Sequence, residues 1–270
     1  MRQYKVLLIL IQVILSMESA VAGFERVAQP TTVFAGAYSG VASFTSDNLW
    51  LNPASIDRQS AMQTSLFYSP SPFQLKQLSN YGAIVSGTFE GFRLAGGVQS
   101  AGFNLYKETS GTLCVSFDLS GSFSAGVSLQ LYHLSIERHG TALQPAFDAG
   151  CIVQLSEMVT FGSVLRNISG TGFGKDDDIP QELCSGITIQ AESWGKLSVD
   201  ITKDVRYPVG YSAGFELKPF DPVSIHVGIN GSNSILTAGM KIELFTISFQ
   251  YGVASHQVLG LTHSFGVSFQ

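Results

Sequence analysis

His263 lies on the apolar face of the closing stretch Leu259–Gln270, where a serine beside it would make an ester hydrolase working at a lipid surface. The next residue on that face is Phe265, so the nucleophile is missing and an interfacial histidine is the better account. His226, between Ser224 and Gly228 on a polar face, is a lone imidazole, and one imidazole does not make a metal site. Gly170–Lys175 (GTGFGK) has the glycines of a phosphate-binding loop but no strand-to-helix junction around it. Asp176-Asp177-Asp178 lacks the spacing of a calcium loop and reads as a solvated acidic turn. Cys114, Cys151 and Cys184 are odd in number and form no CxxC pair, which fits small strand-filling residues better than a disulfide framework or a zinc site. No catalytic residue, metal site or cofactor motif emerges. Function must therefore lie in what the structural elements enclose.

Those elements face something other than water. Only 13% of the 270 residues are charged, half the ~25% of an average globular chain. So little charge with a mean hydropathy of +0.23 excludes a disordered chain. A net charge of −5 excludes a nucleic-acid-binding surface. The start of the chain has the layout of a secretory signal peptide over residues 1–22. Arg2 and Lys5 precede the short apolar run Val6–Leu15, and Ala20-Val21-Ala22 supplies a small-residue cleavage site. Beyond it no apolar run is long enough for a membrane-spanning helix.

What recurs instead is alternation with a period of two. In Ser122–Leu131, Phe123, Ala125, Val127, Leu129 and Leu131 share one face, while Ser122, Ser124, Gly126, Ser128 and Gln130 share the other. The same pattern predicts strands near 61–68, 81–89, 92–100, 112–119, 122–134, 145–155, 158–166, 182–191, 196–202, 209–217, 223–230, 235–244, 245–253 and 259–269. Three features separate a membrane barrel from a soluble sandwich. Arg93, Asp118, Asp148, Arg166, Glu182, Lys196, Asp200, Glu216, Lys241 and Glu243 all fall on the less apolar face, leaving the other free of charge. Hydrocarbon demands this, since Arg or Lys at mid-bilayer costs ~2–4 kcal/mol. Joins after alternate strands are short, whereas 69–80, 101–111, 135–144 and 167–181 are longer, as at the two rims of an outer-membrane barrel. Glycines such as Gly97, Gly126, Gly150, Gly162, Gly214 and Gly228 face inward, which leaves room for a plug, a ligand path or both. The expected fold is all-β: a transmembrane antiparallel β-barrel of about fourteen strands over residues 61–270. Its outer face would meet outer-membrane lipid, in the outer membrane of a diderm bacterium.

Residues 23–60 do not alternate. They contain VFAGAYSGVASFTSDNLWLNPASIDR (Val33–Arg58), a Gly/Ala-rich opening followed by Asn52-Pro53-Ala54. With LSVDITKD (Leu197–Asp204), YSAGFELKPFDPVSIHVGIN (Tyr211–Asn230) and the closing LGLTHSFGVSFQ, the chain resembles the FadL-type hydrophobic-compound transporters and their PorV-like relatives. The resemblance implies a fourteen-stranded barrel whose N-terminal segment, 23–60, folds inward as a hatch. Asn52, Pro53 and Ala54 would then lie in the lumen beside a ligand. It also implies sideways release through a kinked third strand, for which Gly96-Gly97 is the candidate position. The FadL branch implies passive transport of fatty-acid-like or aromatic molecules by a protein that is not an enzyme. The PorV branch implies the alternative, an accessory that binds secreted cargo and the components of a type IX secretion machine.

Overall fold

In a computed structural model, described for residues 24, 28–56, 62–89, 91–174, 179–192, 194–232 and 234–270, the chain forms a closed antiparallel barrel. The strands are β1 Met62–Ser69, β2 Asn80–Phe89, β3 Phe92–Phe103, β4 Tyr106–Ser120, β5 Phe123–Ile136, β6 Gly140–Gln154 and β7 Val159–Arg166. They continue as β8 Glu182–Ala191, β9 Gly195–Asp204, β10 Gly210–Phe220, β11 Val223–Asn230, β12 Ile235–Leu244, β13 Ile247–His256 and β14 Gly260–Phe269. Each pairs with its neighbours in sequence, and β1 pairs with β14 to close the ring. All fourteen expected strands are present. The proposed signal peptide and the acidic run 176–178 lie outside the described residues.

Alternation sets the wall. In the β4–β5 ladder Leu113 faces Leu129 and Val115 faces Val127 on the outside, while Thr112 faces Gln130 and Cys114 faces Ser128 on the inside. Large apolar side chains stand exposed around the outer surface, Leu113 at 67% and Leu236 at 60%. Such a belt is stable only against hydrocarbon. A closed ring also leaves no strand edge unpaired inside the bilayer.

Two expected loops are not loops. Residues 101–111 and 135–144 belong largely to tall hairpins: β3 and β4 stay paired up to Phe103↔Tyr106, and β5 and β6 up to Ile136↔Gly140. Lys107, Thr109, His133 and Ser135 bring polar side chains onto the outer face there. Above the bilayer both faces meet water, so the hydrophobic alternation stops while the hydrogen-bond ladder goes on. The longer connections on this rim are then 70–79 and 167–181.

Before β1, residues 28–56 lie against the inner wall. They contain one short helix, α1 (Thr31–Ala35), and 3-10 turns at Ser46–Asn48 and Pro53–Ser55. Thr31 meets Ser264 of β14, the Ala35 carbonyl accepts from Thr237 of β12, and the Ala37 carbonyl accepts from Asn230 of β11. Gly40 and Val41 reach Asp200 of β9, and Ala42 reaches Thr160 of β7. The chain then crosses the lumen, where Ser46 meets Ser86 of β2 and Asp47 meets Ser65 of β1. It finishes along β4, β5 and β6.

Candidate functional site

The bare inner faces of the wall glycines let this segment approach. A Cβ on Gly162 would stand 2.5 Å from the Val41 carbonyl oxygen, and one on Gly239 would stand 2.5 Å from the Ala35 methyl. Not every inward glycine serves the segment, since Gly82 makes room for the Phe67 ring and Gly186 for the Asp200 carboxylate.

Asn52-Pro53-Ala54 is where the segment is fastened most tightly. Asn52 is fully buried; its Nδ2 donates to the Val41 carbonyl (2.7 Å) and the Cys151 carbonyl (3.2 Å), and its Oδ1 accepts from the Ala54 N–H (2.9 Å). Asparagine suits the position because one short side chain caps the following turn and still donates twice. The Cys114 thiol donates to the Pro53 carbonyl, and Ser116 donates to the Ala54 carbonyl. Gly126 and Gly150 leave the space in which the triplet sits. The triplet lines neither of the two luminal cavities described below. The bonds described fasten the triplet to the wall, and the adjacent Trp50 and Leu51 are residues that face a cavity.

Gly96-Gly97, the position expected for a kink, lies within a regular ladder. β3 pairs with β2 and β4 through both glycines with no shift of register, so the ladder has no gap there. A glycine pair removes side chains but keeps every backbone donor and acceptor. Gly97 instead receives the Trp50 ring: a Cβ there would stand 2.7 Å from Trp50 Cζ2 and 2.9 Å from Leu49 Cδ2. Trp50 is held by its indole N–H, which donates to Thr112 Oγ1 at 2.7 Å. Gly97→Leu is expected to evict the indole and shift its fluorescence emission to the red. Trp194, already half-exposed at the opposite rim from the tall hairpins, serves as the unchanged background.

Most of the luminal charges pair along the wall. Arg93 bonds Asp118, Arg166 bonds Glu182, Lys196 bonds Glu216, and Lys241 bonds Glu243. Among the described residues, Arg93 lies over the Phe44 ring of the segment, and two other charged side chains bond its backbone. The Asp200 carboxylate accepts from the Gly40 (2.7 Å) and Val41 (3.0 Å) N–H groups, and Arg166 donates to the Leu51 carbonyl (2.9 Å). Sequence reading gave neither residue such a role.

The segment divides the lumen in two. On the side of the long connections lies a cavity of about 590 Å³. Its apolar wall includes Phe24, Tyr38, Trp50, Leu51, Tyr132, Ile179 and Val209, and its polar wall includes Gln99, Gln130, Asp148, Arg166 and Glu182. The Phe24 ring packs edge-on against Tyr132 and stacks on Phe173. On the side of the short turns lies a polar cavity of about 280 Å³, with Ser39, Asp47, Lys196, Glu216, His226 and Lys241 among its lining. Outside the barrel a lipid-facing groove of about 740 Å³ runs past Val85, Leu94, Gly96, Leu113, Val127 and Phe147. His263 hydrogen-bonds the Tyr251 hydroxyl and stacks on its ring, an aromatic pair on the outer surface.

No protein-family model matches the sequence, and no curated protein matches it. Solved structures do. The Ralstonia pickettii toluene transporter TbuX aligns over 91% of this chain and 98% of its own, with a TM-score of 0.68 at 10% identity. The Pseudomonas putida toluene transporter TodX aligns over 91% and 98%, with a TM-score of 0.68 at 11% identity. A Pseudomonas aeruginosa FadL homologue aligns over 92% and 99%, with a TM-score of 0.66 at 10% identity. Identity this low speaks to architecture alone: the chain has the fold of the FadL-type hydrophobic-compound transporters.

Proposed function

We propose that the chain is an integral protein of the outer membrane that passes small hydrophobic molecules, aromatic ones foremost, passively across it. On this reading residues 1–22 direct export and residues 23–60 form the hatch. The observation that carries the proposal is the divided lumen, with an aromatic-lined cavity outside the segment and a polar one beneath it. A cavity of about 590 Å³ falls within the range of small-molecule sites. The fold is shared with proteins that transport toluene, which supports the same reading. A ligand enters between the long connections and rests against Trp50 and Tyr132. Sideways release toward the lipid groove at Gly96 requires the Trp50 ring to withdraw from Gly97 and β3 to part from a neighbour. No feature of the described residues favours the secretion-accessory alternative.

The test is uptake. Expressed in a diderm host whose lipopolysaccharide layer limits entry, the protein is expected to raise the initial rate of radiolabelled toluene uptake several-fold over a host carrying no insert. Equal rates, with the barrel present in the outer membrane, would defeat the proposal.

A further inference from the structure

Resting on that transport reading, we infer that the outer cavity selects neutral single-ring aromatics that carry a hydroxyl group, the phenol class, over plain hydrocarbons and over carboxylates. The first observation is an orphaned amide. Gln99 lines the cavity and is only 6% exposed, yet its Oε1 is buried without a hydrogen-bond partner among the described residues. Gln29 Oε1, in the same lining, is in the same condition. A buried polar atom left without a partner is costly, and a ligand donor that reaches it recovers that cost. A primary amide offers an acceptor and a donor together, which is what a hydroxyl complements and a methyl cannot.

The second observation is the charge of the lining. One guanidinium, Arg166, stands among the carboxylates of Asp148, Glu182 and Asp204. Arg166 is already bonded to Glu182 and to the Leu51 carbonyl, and Asp204 pairs with Arg206. Negative charge remains in excess, so a carboxylate ligand is repelled. The third is shape. Trp50 and Tyr132 give the cavity flat apolar faces for a ring, while a void of about 150 Å³ already suffices for benzene. Room is left beside the ring for the hydroxyl to meet Gln99.

The test is calorimetry on the full chain in lipid nanodiscs, with empty nanodiscs subtracted, using p-cresol, toluene and benzoate. p-Cresol is expected to bind about five- to tenfold more tightly than toluene, the effect of one net hydrogen bond. Benzoate is expected to bind more weakly than either. Gln99→Leu should abolish the preference for p-cresol while toluene still binds. Toluene matching p-cresol in the unaltered protein would overturn the inference and leave the transport reading standing, and this comparison needs no variant to fold. Benzoate binding as tightly as p-cresol, or a preference that survives in Gln99→Leu, would overturn it equally. If neither p-cresol nor toluene bound, the inference and the transport reading would fall together.

Discussion

Removal of residues 33–58 is expected to turn a closed barrel into an ion-conducting pore. The segment lies against nearly every strand of the wall, and the Ser and Thr hydroxyls that bond it, at Ser86, Thr160 and Thr237, become free to hold water when it is gone. The wall closes without the segment through its own ladder, which is continuous from β1 to β14. The shortened chain should therefore still insert and still show a heat-dependent gel shift. In planar bilayers the intact protein should give little current, and the deletion should give discrete, long-lived openings. Equal conductance of the two would mean that the segment does not seal the lumen.

The second large effect is expected from one side chain. Asn52→Leu keeps the volume but leaves the Val41 and Cys151 carbonyls and the Ala54 N–H without their partner. Each buried group left unpaired costs roughly 1–3 kcal/mol, and relaxation should hold the total near 3–4 kcal/mol. Because those bonds join the segment to itself and to β6, the loss falls on the docking of the segment rather than on the barrel. The expected result is a leak current that approaches that of the deletion, with the temperature of the gel shift lowered only slightly. Asn52→Asp, held neutral by burial, keeps the cap on Ala54 and donates to one of the two carbonyls, so it should fall between. A leucine variant as tight as the unaltered protein would show that the triplet is not the anchor.

The wall was legible because lipid on one side and a packed lumen on the other impose a strict alternation on each strand. Val127 and Ser128 cannot exchange places. Where lipid ends the rule ends, and this is why the upper parts of β3 to β6 read as loops although Thr109 and His133 still face each other across the ladder. The tethers were not legible. Asp200 is separated by 160 residues from Gly40, and a polar strand residue looks the same whether it faces water or a backbone amide. Inward glycines announced that something had to fit, and Gly162 and Gly239 do admit the segment, but nothing local told Gly97's partner from empty space. The cavity residues were hidden for the same reason: Gln99 and Tyr132 stand at ordinary inward positions of β3 and β5 and line one cavity only once the wall has folded around it.

The crossing from Ala42 on β7 to Ser46 on β2 spans four peptide links, at most roughly 14 Å when fully extended. It works as a tether, limiting how far apart β2 and β7, five strands away on the ring, can stand. One extra hairpin between them would lengthen that arc by roughly 10 Å, and the strut between those two threonine and serine posts would have to stretch to follow it. A wider bore engineered on this scaffold would therefore draw on the slack of 42–46, where the turn closed by Ser43 and Gly40 would open first.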